Sequence, residues 1–70
     1  MAYRRMNYRL AIEVTTKRGV KYITACGWDF LEGVTPEAVD AAEIRLAEIQ
    51  NVSKVMILSW SKYDLTDQNG

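Results

Sequence analysis

The sequence predicts an α+β domain of ββαβ order, a three-stranded antiparallel sheet in the order 2-1-3 with one helix packed on one face. Three observations carry this prediction. Residues 7–16 alternate apolar and polar side chains, as a strand with one buried face does. Residues 36–50 repeat apolar side chains at helical spacing behind a clear start signal. Residues 55–60, Val-Met-Ile-Leu-Ser-Trp, are the densest apolar run in the chain, and they do not alternate. Val55 and Ile57 would point one way and Met56, Leu58 and Trp60 the other. One helix covers one face of a small sheet, so a strand apolar on both faces asks for a partner, a second copy of the chain among the candidates.

In chain order, residues 1–6 precede the first pattern and read as an N-terminal arm. The folded unit spans 7–63, and residues 64–70 form a polar, frayed tail. In the first strand Tyr8, Leu10, Ile12 and Val14 share one face, and the segment is rich in β-branched and aromatic residues. Lys17, Arg18 and Gly19 make the turn, with Gly19 supplying the positive φ that hairpin loops use. The return strand, residues 20–28, has two registers. A three-residue loop pairs Thr16 with Val20 and puts Tyr22, Thr24, Cys26 and Trp28 beside Tyr8, Leu10, Ile12 and Val14. A two- or four-residue loop turns Ile23 and Ala25 inward instead, because a slip of one residue exchanges the faces. We favour Ile23 and Ala25 inward, with Lys21 reaching water at the hairpin tip.

A loop follows, in which Phe30 and Leu31 tuck under the helix and Gly33 marks a bend. Thr35 caps the helix, Pro36 takes its first position and Glu37 its first turn. Val34 and Val39 are spaced as a hydrophobic staple. Val39, Ala42, Leu46 and Ile49 form the buried stripe, and Glu37, Asp40, Ala41, Ile44 and Glu48 the outer face. Asn51 closes the helix in the left-handed conformation. The third strand runs from Ser53 to about Tyr63.

Composition narrows the function classes. A 70-residue chain makes one small domain, whose core supplies only about 3–5 kcal/mol of net stability. With one cysteine and no histidine, neither an intrachain disulfide nor a structural zinc site is available to reinforce it. Oligomerisation is the remaining reinforcement. No charged-then-apolar leader opens the chain and no run approaches the roughly 20 residues of a membrane span, so no membrane association is expected. A free thiol fits the cytoplasm. The net charge of zero is a cancellation: residues 1–25 carry +5 and residues 26–50 carry −5. A basic hairpin and an acidic helix make a dipolar surface that steers partners.

Four candidate features follow. The sheet face away from the helix would gather Ala11, Tyr22, Cys26, Trp28, Met56, Leu58 and Trp60. Tyr22, Trp28, Met56, Leu58 and Trp60 have the composition of an interface core, against the alternative of scattered exposed residues. Glu37, Asp40, Ile44 and Glu48 form an acidic partner face, with Ile44 an apolar contact among charges. Its bland alternative is an ordinary solvated helix. Arg4, Arg5, Arg9, Lys17, Arg18 and Lys21, interleaved with Tyr3, Tyr8 and Tyr22, have the composition of a nucleic-acid footprint, though the whole chain lacks a basic excess. Cys26 has Arg9 as its nearest candidate cation and no histidine to hold it as a thiolate, so it reads as a small apolar side chain. No carboxylate pair, phosphate loop or metal-ligand spacing appears, and neither cofactor nor metal is expected.

In its small size, sparse ββαβ layout and lack of catalytic motifs, the chain resembles phage- and prophage-encoded accessory proteins that bind and inhibit a host enzyme. The resemblance lies in layout and attaches to no particular residues. It implies a non-enzymatic protein-binding module, here acting as a homodimer. A nucleic-acid-binding module using the basic arm and hairpin is the alternative.

Overall fold

The computed structural model describes residues 7–62. The expected arm at 1–6, the end of the third strand at Tyr63 and the tail at 64–70 lie outside the described residues. Strand β1 (Tyr8–Thr15) occupies the centre of a three-stranded sheet, with β2 (Lys21–Trp28) and β3 (Lys54–Lys62) antiparallel on either side. Helix α1 (Pro36–Gln50) packs on one face, completing the ββαβ fold. The alternation in β1 explains its central place. Leu10, Ile12 and Val14 are fully buried, and Phe30, Ala42, Leu46, Val55 and Ile57 close the core over them.

The hairpin corrects the expected register. Thr16 N–H donates to the Val20 carbonyl at 2.8 Å, and Gly19 N–H donates back to the Thr16 carbonyl at 2.9 Å. Gly19, at φ 86°, is the third residue of the three-residue loop, the position where such loops need a left-handed residue. Leu10 therefore pairs with Cys26, Ile12 with Thr24 and Val14 with Tyr22. Residues opposite one another in an antiparallel ladder share a face, so Tyr22, Thr24, Cys26 and Trp28 stand on the helix side. Ile23 and Ala25 stand on the open side, and Ile23 is exposed.

A bulge in β3 settles the run that is apolar in both directions. Ile12 pairs with Ile57 but Ala11 pairs with Ser59, which leaves Leu58 as the extra residue. An extra residue reverses the alternation beyond it. Val55 and Ile57 lie on the helix side before the bulge, and Trp60, opposite Leu10, lies there after it. The strand does not present Met56 and Trp60 on one face, and the demand for cover on both faces is removed by backbone geometry.

The helix termini follow the sequence signals. Thr35 Oγ1 accepts from Ala38 N–H at 3.1 Å, and Pro36 occupies the first turn, where its missing donor costs nothing. Val34 and Val39 both pack against the core. Asn51 sits at φ 56° and ψ 48°, its N–H bonded to the Glu48 carbonyl and that of Val52 to the Ala47 carbonyl. This is the two-bond helix ending described for left-handed caps. Ser53 N–H then reaches the Thr15 carbonyl at 2.9 Å, which aims the chain into β3.

Two apolar expectations fail locally. Ile49 is 61% exposed although it lies on the stripe of Ala42 and Leu46. Ala38 and Ala47 pack against the core instead. Leu31 is exposed, while Phe30 alone tucks in and meets Tyr8 edge-to-face with ring centroids 5.3 Å apart.

Phe30 is placed by Asn7, whose side-chain amide imitates a backbone unit. Oδ1 accepts from Phe30 N–H at 2.9 Å and Nδ2 donates to the Phe30 carbonyl at 3.2 Å. Asn7→Ala should cost about 1–3 kcal/mol by stripping both bonds from a half-buried loop. Urea unfolding should show a lower midpoint with an unchanged slope, and an unchanged midpoint would dismiss the Asn7 tie.

Candidate binding surfaces

The open side of the sheet is more polar than expected. Arg9, Ala11, Glu13 and Thr15 of β1 lie between Lys21, Ile23, Ala25 and Gly27 of β2 and Lys54, Met56, Ser59 and Ser61 of β3. Of the expected interface set, Met56 alone is placed on this side by its pairing, opposite Glu13. Tyr22, Trp28 and Trp60 face the helix side, and Leu58 is the unpaired bulge residue. Small residues replace the expected aromatic patch.

Besides Ile23 and Met56 on the open side, Tyr22 and Trp60, which their pairing sets on the helix side, are exposed beyond the cover of α1. It begins beside a cleft of about 590 Å³ lined by Trp28, Phe30, Ala38 and Arg45, at the far end of β2 from the hairpin. It ends beside the hairpin tip, where Lys17 Nζ donates to Asn51 Oδ1 at 2.8 Å. On its β3 flank, Glu43 Oε2 accepts from Ile57 N–H at 2.8 Å. The helix leaves two corners uncovered. At the hairpin corner Val20, Tyr22 and Ile49 are exposed, and at the β3 corner Leu58 and Trp60 are about half exposed, at 47% and 48%.

The acidic helix face is present as expected. Glu37, Asp40, Ile44 and Glu48 are all exposed, and Ile44 is the apolar residue among them. Arg45 and Glu48 form a solvent-exposed pair at 3.5 Å, an interaction worth little to stability. Ile44 and Glu48 border a cleft of about 510 Å³ with Lys17, Ala47 and Val55. The Lys17 ammonium and the Glu43 carboxylate at this cleft are both spent on internal hydrogen bonds.

The described members of the basic set, Arg9, Lys17, Arg18 and Lys21, do not gather in one patch. Lys17 is tied to Asn51, while Arg18 and Lys21 stand at the hairpin tip. Arg9 lies six residues along β1 from Thr15, about 20 Å from that tip. Arg4, Arg5 and Tyr3 lie outside the described residues. Arg9 also pairs with Gly27 on the open side, so it does not face Cys26. Cys26 packs against the core, and desolvation raises its thiol pKa above the ordinary value. Burial holds it neutral, the opposite of an activated nucleophile. Among the described residues, no three His, Cys, Asp or Glu side chains come together as a metal site.

Sequence reasoning missed Glu43 and Asn7. Glu43 matters because β3 is an edge strand and Ile57 N–H points out of the sheet. The carboxylate satisfies that donor and blocks the edge. Its signal in the sequence is slight: an acid between Ala42 and Leu46, beside the buried stripe.

No family model, curated protein or solved structure matches the chain. Among the described residues no helix is long and apolar enough to cross a membrane.

Proposed function

We propose that this chain is a small non-enzymatic protein-binding module that acts as a homodimer. The observation that carries the reading is the incomplete cover of the sheet, with Leu58 and Trp60 half exposed at one corner and Val20 and Tyr22 at the other. A 70-residue core without disulfide support gains from burying such groups against another chain. The acidic helix face with Ile44 and the Leu58–Trp60 corner are the surfaces offered to a partner protein. A role of the phage-accessory kind, binding and inhibiting a host enzyme, suits a small module with exposed contact surfaces. The free, half-buried Cys26 suits a reducing compartment such as the cytoplasm.

The test is the mass in solution by light scattering, across a concentration series reaching high micromolar. Wild type should approach twice the chain mass as concentration rises. Trp60→Lys separates the two corners: a variant that still dimerises joins away from the Leu58–Trp60 corner, and one that turns monomeric joins through it. A chain that stays monomeric throughout would overturn the homodimer.

A further inference from the structure

Resting on the homodimer reading, we infer that two copies join along β2, edge to edge and antiparallel, into one six-stranded sheet. The argument begins with the two edges of the three-stranded sheet, β2 and β3. Edge strands present unpaired N–H and C=O groups, and proteins blunt them with bulges, charges or covering groups. The β3 edge has all three: the bulge at Leu58, Lys54 and Lys62 at its ends, and Glu43 on the Ile57 donor. Among the described residues β2 has neither bulge nor capping carboxylate. It has no proline, and Lys21 is its only charged residue.

The hairpin bonds define which groups β2 leaves free. Thr16 and Val20 are a hydrogen-bonded pair, and such pairs alternate along an antiparallel ladder. Tyr22, Thr24, Cys26 and Trp28 therefore bond to β1. Lys21, Ile23, Ala25 and Gly27 point their N–H and C=O groups away from the sheet. A two-fold axis at Thr24 sets Lys21 against Gly27 of the second copy and Ile23 against Ala25 of the second copy. All four free residues then find partners of their own kind, as a two-fold interface requires.

Side chains and charges suit the same axis. On the open side the exposed Ile23 falls beside the small Ala25, and Lys21 falls beside Gly27, where nothing obstructs it. On the helix side the exposed Tyr22 falls beside Cys26, and Val20 beside Trp28. Each large exposed group meets a small or half-buried one. Lys17, Arg18 and Lys21 mark the hairpin end of β2, while Asp29 and Glu32 follow its other end. Antiparallel pairing brings the basic end of each copy to the acidic end of the other, whereas a parallel pairing would set like charges together.

The experiment blocks this edge without touching the fold. Ala25→Pro removes a donor that points away from β1, the kind of edge position where proline is tolerated. It should leave the circular dichroism of the monomer intact and weaken self-association by roughly tenfold or more, since it leaves carbonyls across the seam unpaired. Thr24→Cys in a Cys26→Ser background provides an independent measure. Facing Cβ atoms at a non-hydrogen-bonded pair lie at the close end of the cross-strand range, about 4.5 Å, the upper limit a disulfide spans, so mild oxidation should give an interchain disulfide. Ser61→Cys on β3, in the same background, should give little. If Ala25→Pro does not fold, the cross-link decides. A wild-type dimer that forms no cross-link through position 24 overturns the β2 seam and leaves the homodimer standing. A wild-type chain that never dimerises overturns both.

Discussion

Ile12→Ala should leave the protein largely unfolded at room temperature. Ile12 is fully buried at the middle of the central strand, paired with Thr24 on one side and Ile57 on the other. Removing most of such a side chain costs about 2–5 kcal/mol, the lost transfer energy plus the cavity left behind. A core of this size supplies only about 3–5 kcal/mol in total. The two quantities overlap, so the substitution removes most or all of the stability. Ile12→Val, at about 0.5–1.5 kcal/mol, should remain folded with a lower urea midpoint. Circular dichroism across a urea series separates the outcomes. An alanine variant within about 1 kcal/mol of wild type would show that the domain draws its stability from elsewhere, most directly from the proposed dimer.

Glu43→Ala should cost about 1.5–3 kcal/mol and make the protein stickier. The Glu43 carboxylate accepts the outward-pointing N–H of Ile57 at 2.8 Å, a charge-assisted bond at a half-buried position. Alanine leaves that donor without a partner and opens the apolar Val55–Ile57 edge to other chains. Two readings should move together: a lower urea midpoint, and light scattering that rises with concentration beyond the wild-type level. Glu43→Gln keeps an acceptor at the same place and should recover much of both. If Glu43→Ala changes neither stability nor association, the edge is protected by the bulge alone.

These two sites differ in how visible they are before folding. Ile12 is legible from the alternation of β1, which fixes its face whatever its neighbours do. Glu43 looks like one more acid on an acidic helix. Its role appears only when the helix is laid against β3, because its partner is a backbone donor 14 residues away that carries no sequence signal. The same division holds across the candidate surfaces. The acidic face with Glu37, Asp40, Ile44 and Glu48 could be read from helical spacing, since exposure on a lone helix follows from angle around its axis. The aromatic interface could not. It depended on the register of β2 and on unbroken alternation in β3, and the fold overturned both assumptions.

By itself the sequence determined the element order, the strand order and the helix caps. Those follow from alternation in β1, the short hairpin that makes β1 and β2 antiparallel, a helix that crosses one face before β3, Thr35 and Pro36 at the helix start, and Asn51 at its end. Tertiary structure alone decided which way the β2 and β3 side chains point. The Val20–Trp28 segment carries apolar groups on both faces, so hydrophobicity does not choose its register, and the position of Gly19 as the third loop residue does. In β3, the need to place Val55 and Ile57 and then Trp60 on one side is met by the bulge at Leu58. A bulge follows from pairing against β1 and has no residue type that announces it.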